Sequence, residues 1–122
     1  MEGKNIKSWA EDDRPREKLL RKGRSALSDA ELIAILIGSG NRKETAVEVA
    51  RKILGDINMN LVELGKLSVN DLMKHNGIGE AKAITIVAAM ELGNRRRESE
   101  AIQREKIITS KDAFEIFSKE YF

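Results

Sequence analysis

One short grammar occurs twice in this chain, about forty residues apart, and that repetition constrains the fold more than any other feature. The first copy opens with Leu27-Ser28-Asp29-Ala30-Glu31-Leu32 and the second with Leu67-Ser68-Val69-Asn70-Asp71-Leu72. In each, a serine stands where a helix cap is wanted and an acid follows three residues later, the reciprocal arrangement that satisfies the orphan N–H groups of a helix start. Each copy then reaches a Gly-x-Gly turn, Gly38-Ser39-Gly40 in the first and Gly77-Ile78-Gly79 in the second, and a helix follows each turn. The spacing predicts a duplicated helix-turn-helix unit, with the first loop a couple of residues longer than the second. Chance agreement is the alternative, because capping boxes are common.

The rest of the chain is compatible with one small helical domain. Its 122 residues are 41% hydrophobic and 34% charged, with one proline and 4% aromatics, the balance of a folded, helix-rich chain rather than a disordered one. The longest apolar run, Leu32 to Ile37, is far shorter than the roughly 20 residues that span a bilayer. The start, Met1-Glu2-Gly3-Lys4-Asn5, has no apolar signal region, so a cytoplasmic location is expected. Cysteine is absent and His75 is the one histidine, which excludes disulfides, a thiol nucleophile and a zinc site of ordinary N/S composition. A net charge of +2 is too small to argue nucleic-acid binding from the total, so the placement of charge must decide.

Residues 1–13 read as an extended arm, with Trp9 as a packing anchor; one tryptophan does not make the stacking platform of a single-strand binder. Glu11, Asp12 and Asp13 read as dipole and cap residues in preference to a metal site. A short helix from Pro15 to Lys22 follows, proline-started and stopped by Gly23. A second helix is expected from about Asp29 to Ile37, and a third from Glu44 to Leu54 with an apolar stripe of Ala46, Val47, Ala50, Ile53 and Leu54. The helix after the second turn is expected over Glu80 to Arg95. Two apolar stripes, Ala83-Ile86-Val87-Met90 and Ile84-Ala88-Leu92, predict it to be the central and most buried helix. Residues 98–106 read as a charged linker, and residues 107–122 as a new element capped by Thr109 or Ser110.

The sharpest chemical signal is Leu72 to Ala83. A Gly-x-Gly turn between helices lets Ile78 point into the core while the N–H groups of Gly77, Ile78 and Gly79 stay uncovered. Such groups at a helix N-terminus attract an anion, since the dipole is positive there and no side chain blocks approach. Lys82, one turn into the helix, is placed to close on the same phosphate. In the first turn, Ser39, Arg42 and Lys43 form either a second phosphate contact or a degenerate copy retained for the fold. Arg95, Arg96 and Arg97 read either as phosphate contacts or as a solvated helix end. His75 has no metal-type partner and is read as structural, with no catalytic role. No nucleophile, base or metal cluster survives inspection, so this chain is not expected to be an enzyme or to need a cofactor.

The stretch from Leu72 to Ala83 resembles the helix-hairpin-helix motif of DNA-binding proteins that do not read sequence, in which hairpin N–H groups hold backbone phosphates. Asn76 departs from the proline many such hairpins carry; the alternative is a packing hairpin that never meets DNA. The order Asp13 to Leu20, Ala26 to Leu32, Gly38-Ser39-Gly40 and Gly77 to Ala83 is similar to the N-terminal region of bacterial RadC-family proteins, from about Ile6 to Arg97. Residues 107–122 resemble the truncated opening of that family's second domain, a JAMM/MPN-type metallo-hydrolase. The resemblance implies zinc in that second domain, whose signature lies beyond Phe122, and a role in DNA repair or recombination.

The expectation is therefore an all-α bundle of about five helices, a tandem helix-hairpin-helix of the SAM-like or RuvA C-terminal-like kind, over residues 14–97. The expected function is binding of DNA backbone phosphates without sequence preference, and the expected partner is DNA. The rival reading is a protein-interaction or self-association module that positions the parent's metallo-hydrolase domain.

Overall fold

The computed structural model describes the backbone of residues 14–117 and the side chains through residue 108, so Trp9, the acids at 11–13 and the chain end lie outside the described residues. Those described form an all-α structure with six helices and no strand. Helix α1 covers residues 14–22, and a 3-10 turn, Arg24–Ala26, leads from it. Then come α2 (Asp29–Ile37), α3 (Ala46–Asp56), α4 (Leu61–Leu64), α5 (Val69–Met73) and α6 (Glu80–Phe117). None is long and apolar enough to cross a membrane.

The helix starts follow the cap chemistry. Ser28 Oγ accepts from the Glu31 N–H at 3.2 Å while Glu31 Oε1 accepts from the Ser28 N–H at 2.9 Å. Ser68 and Asp71 repeat the arrangement at 3.1 and 2.9 Å. A third box, unforeseen, starts α3: Thr45 and Glu48 bond reciprocally at 3.2 and 2.9 Å, so α3 begins at Ala46 and not at Glu44. The signal was present as Thr-x-x-Glu. Asn60 caps α4, a single turn too short for periodicity to reveal, through Oδ1 and the Val62 N–H at 2.9 Å.

The core is centred on α2 and α3. Ala30, Ile33, Ala34 and Ile37 of α2 face Ala46, Val49, Ala50 and Ile53 of α3, the same i, i+3, i+4, i+7 spacing on both helices. Val49 lies inside where Val47 was expected; Val47 packs at the core's edge. Leu64, Leu72, Ile78, Ala83 and Ile86 close the cluster from α4, α5, the second loop and α6.

Helix α6 therefore does not hold the central place. It buries Ala83 and Ile86, whereas Ile84 is 51% and Leu92 69% exposed, so the second expected stripe faces solvent. Nor does the helix end near Arg95. It runs unbroken through 98–106 and through Thr109 and Ser110, with no new start there. Glu91 to Arg95 and Arg96 to Glu100 bond across one turn at 2.9 and 3.0 Å, and such i, i+4 pairs support a helix that has no apolar face. Gly93 is carried inside it at a cost of about 1 kcal/mol relative to alanine. The chain divides into two compact units after Met90, and both glycine loops belong to the first.

Helix α1 is fastened to α2. Pro15 is fully buried, and Lys18 Nζ bonds both carboxylate oxygens of Glu31 at 3.1 and 3.2 Å. Glu31 thus caps α2 and anchors α1 at once. The Ser28 N–H holds its carboxyl below the usual glutamate range, burial opposes, and Lys18 adds to the lowering.

Candidate functional site

Both Gly-x-Gly turns begin with a left-handed glycine. Gly38 has φ +84° and Gly77 φ +95°, a conformation that L side chains rarely adopt. Beyond that the loops diverge. The first loop, residues 38–45, is two residues longer than the second, residues 74–79, as expected, and it places its extra length after the glycines: five residues separate Gly40 from α3, whereas Gly79 leads directly into α6.

The extra residues build a scaffold around Asn41. Its Oδ1 accepts from the Lys43 N–H at 2.8 Å and the Glu44 N–H at 2.9 Å, and its own N–H donates to the Glu44 carbonyl at 2.9 Å. Its Nδ2 donates to Glu44 Oε1 at 3.0 Å. The Lys52 ammonium pairs with the same carboxylate and, with the Asn41 amide behind it, holds Glu44 below the usual carboxylate range. Gly40 sits against this turn so closely that a Cβ there would collide with the Glu44 carbonyl oxygen and stand 2.5 Å from the Thr45 carbonyl carbon.

The two loops lie side by side. Asn41 Nδ2 also donates to the Asn76 carbonyl at 3.2 Å, and a Cβ on Gly77 would stand 3.2 Å from the Asn41 side chain. Lys82 reaches from α6 to the first loop, donating to the Ser39 carbonyl at 2.8 Å and to Ser39 Oγ at 3.2 Å. Ser39 is thus brought against Lys82, and Asn41, which precedes Arg42 and Lys43 in the first loop, lies beside Gly77. Arg95 and Arg96 lie in the second unit, where they pair with Glu91 and Glu100 of their own helix.

Within the second loop the expected donors differ from one another. Ile78 is buried, at 4% exposure, and its N–H is spent on the His75 carbonyl at 3.1 Å. That turn bond removes it as a free donor. No acceptor among the described residues takes the N–H groups of Gly77 or Gly79, and no described side chain caps the first turn of α6 as Ser28, Thr45, Asn60 and Ser68 cap theirs. A Cβ on Gly79 would meet nothing within 4 Å, so this corner is open. His75 braces the loop from below, its Nε2 standing 3.3 Å from Asp56 Oδ2 at the end of α3. Among the described residues no group of acidic, histidine or cysteine side chains could hold a metal ion.

Lys18 and Lys52 are held in ion pairs, and Lys43 acts on the Glu44 carboxyl through its charge alone. Arg42, Lys43 and Lys82 make no ion pair among the described residues. The arrangement therefore offers open N–H groups and unneutralised positive charge on one corner of the bundle, a combination that favours an anion.

Comparison with known proteins gives the family. A UPF0758 protein of Flavobacterium johnsoniae is 58% identical over 118 residues, 95% of this chain and 51% of the relative. UPF0758 proteins of Porphyromonas gingivalis and Staphylococcus carnosus are 46% and 43% identical, over 93% and 92% of this chain. The chain spans about half the length of these relatives. No solved structure matches it. The model of the UPF0758 N-terminal family matches residues 6–84, an interval that contains both loops, helices α1 to α5 and the first turn of α6, and the chain belongs to that family.

Proposed function

We propose that this chain is a nucleic-acid-binding module that holds backbone phosphates of DNA without reading sequence. The observation that carries the reading is the side-by-side placement of the two glycine loops, with the Gly77 and Gly79 N–H groups open and Lys82 lying across to Ser39. Gly77, Gly79 and Lys82 are the principal contacts, and Ser39, Arg42 and Lys43 the secondary ones. Ile78 contributes through the core rather than through its N–H. The likeness of the second loop to helix-hairpin-helix motifs, and of the whole chain to the RadC N-terminal region, supports the same reading.

The chain is proposed to work without a metal, as the binding part of a longer parent whose other half resembles a zinc-dependent metallo-hydrolase and acts in the cytoplasm. With two to four phosphates neutralised, log K falls with log salt at a slope of roughly −2 to −4, and affinity is about micromolar. The test is fluorescence anisotropy of the 122-residue chain with labelled duplex, branched and single-stranded DNA at two salt concentrations, beside Lys82→Ala and Gly79→Val. Salt-sensitive binding that weakens in both variants is the expected result. A folded chain that binds none of the three at low salt overturns the reading and favours a protein-interaction module.

A further inference from the structure

Arg16 did not stand out in the sequence, where it is one basic residue in a charged helix. Its neighbours determine where it goes. Pro15 is buried and Lys18, one turn on, is locked to Glu31, so α1 cannot rotate or slide without breaking one of them. In that register the Arg16 guanidinium reaches the first glycine loop, and a Cβ on Gly38 would stand 3.6 Å from Arg16 Nη2. Gly38 has no side chain, so the guanidinium has room at that corner.

Lys82 arrives at the adjoining residue from α6, through the Ser39 carbonyl and hydroxyl. Two cations from helices far apart in sequence therefore meet the consecutive residues Gly38 and Ser39. Neither has a carboxylate partner among the described residues. Glu31 is committed to Lys18 and Glu44 to Lys52, and the exposed Glu17 and Glu80, though close in sequence, pair with neither Arg16 nor Lys82. Two positive charges brought to consecutive residues of one loop both favour an anion bound there. A guanidinium in addition presents paired N–H donors that match two oxygens of one phosphate.

We infer that Arg16 is a further phosphate-binding residue of this site, so that α1 as well as the two loops grips the phosphodiester backbone of a nucleic acid. The inference rests on the proposed function and extends its footprint beyond the repeated units. Arg16 is exposed and makes no hydrogen bond or ion pair among the described residues, so replacing it leaves the fold intact, which a melting curve checks.

The experiment is anisotropy titration of the full 122-residue chain against a short labelled DNA duplex across a salt series. The variants are Arg16→Gln, Arg16→Lys, Lys82→Ala and, as a control, Lys66→Gln, which lies at the far end of α5 from the second loop. Arg16→Gln is expected to weaken binding roughly three- to ten-fold and to flatten the salt slope by about one. Arg16→Lys keeps the slope and loses part of the affinity, because it retains the charge and not the paired donors. Lys66→Gln stays close to the parent. If Lys82→Ala weakens binding while Arg16→Gln matches the parent, the Arg16 assignment is overturned and the proposed function stands. If the folded parent does not bind, both fall together.

Discussion

Asn41 in the first loop donates its side-chain amide to the main-chain carbonyl of Asn76 in the second, 3.2 Å away. The same side chain closes the turn of its own loop through the Lys43 and Glu44 N–H groups. One residue thus sets the shape of the first loop and the distance to the second.

Asn41→Ala therefore removes the turn and the bridge together. It is expected to cost about 1–3 kcal/mol, since the N–H groups it satisfied are left without their acceptor. The nearby Asn70→Ala, on the exposed side of α5, is expected to change stability by less than about 0.5 kcal/mol. Urea unfolding of both checks this; equal midpoints would remove Asn41 from its structural role.

The two outer glycines of the loops have opposite tolerances. Gly40→Ala puts a Cβ into the main chain at Glu44 and Thr45, where no flexible side chain can give way, and is expected to cost more than about 2 kcal/mol. Gly79→Ala meets nothing within 4 Å and is expected to leave the melting temperature nearly unchanged. Thermal unfolding distinguishes them, and a mild Gly40→Ala would mean that the 40–45 turn relaxes freely.

Helix α3 and not α6 is the keystone of the core. Ile53, fully buried, is expected to cost about 2–5 kcal/mol on replacement by alanine. Ile84→Ala and Leu92→Ala, at exposed positions of α6, are expected to cost about 0.5 kcal/mol or less. Comparable losses at all three sites would restore α6 to the central place its composition suggests.

Acid weakens the domain through its capping carboxylates. The Ser28 N–H holds the Glu31 carboxyl down, and the Ser68 N–H does the same for Asp71. A carboxyl whose pKa is lower folded than unfolded stabilises the fold in full above its unfolded value, about 4.3 for glutamate and 3.9 for aspartate. That contribution disappears as pH falls through the folded value. Melting temperature is thus expected to drop as pH goes from about 5 towards 3, and less steeply in Glu31→Gln. Parallel curves for parent and variant would show that the cap carries no part of the acid sensitivity.

Much of the first unit was legible because its starts and stops are chemical. Ser28 with Glu31, Ser68 with Asp71, and the glycines at 38 and 77 act within a few residues of themselves, so their pattern survives in the string of letters. Burial did not transfer in the same way. Leu32 and Leu72 hold the same place in the repeat, yet Leu32 is 40% exposed and Leu72 fully buried, because α5 stops at Met73 where α2 runs on for another turn. Hydrophobic stripes misled on α6 for a related reason: apolar residues on several faces signal burial only if neighbours exist to cover them. Its continuation past Arg97 shows no apolar spacing, and the supporting signal lies in charges four apart, Glu91 with Arg95 and Arg96 with Glu100. In the site, the contacts between the loops were beyond reach. Asn41 with Asn76, Ser39 with Lys82 and Gly38 with Arg16 join residues that only the fold makes neighbours.

The first glycine loop carries its own framework, Asn41, Glu44 and Lys52, whereas the second takes its bearings from the first, through the Asn76 carbonyl, the flank of Gly77 and the reach of Lys82. The two halves of the repeat are accordingly not interchangeable. One is a template and the other a dependent, so drift in the first loop displaces both while drift in the second stays local.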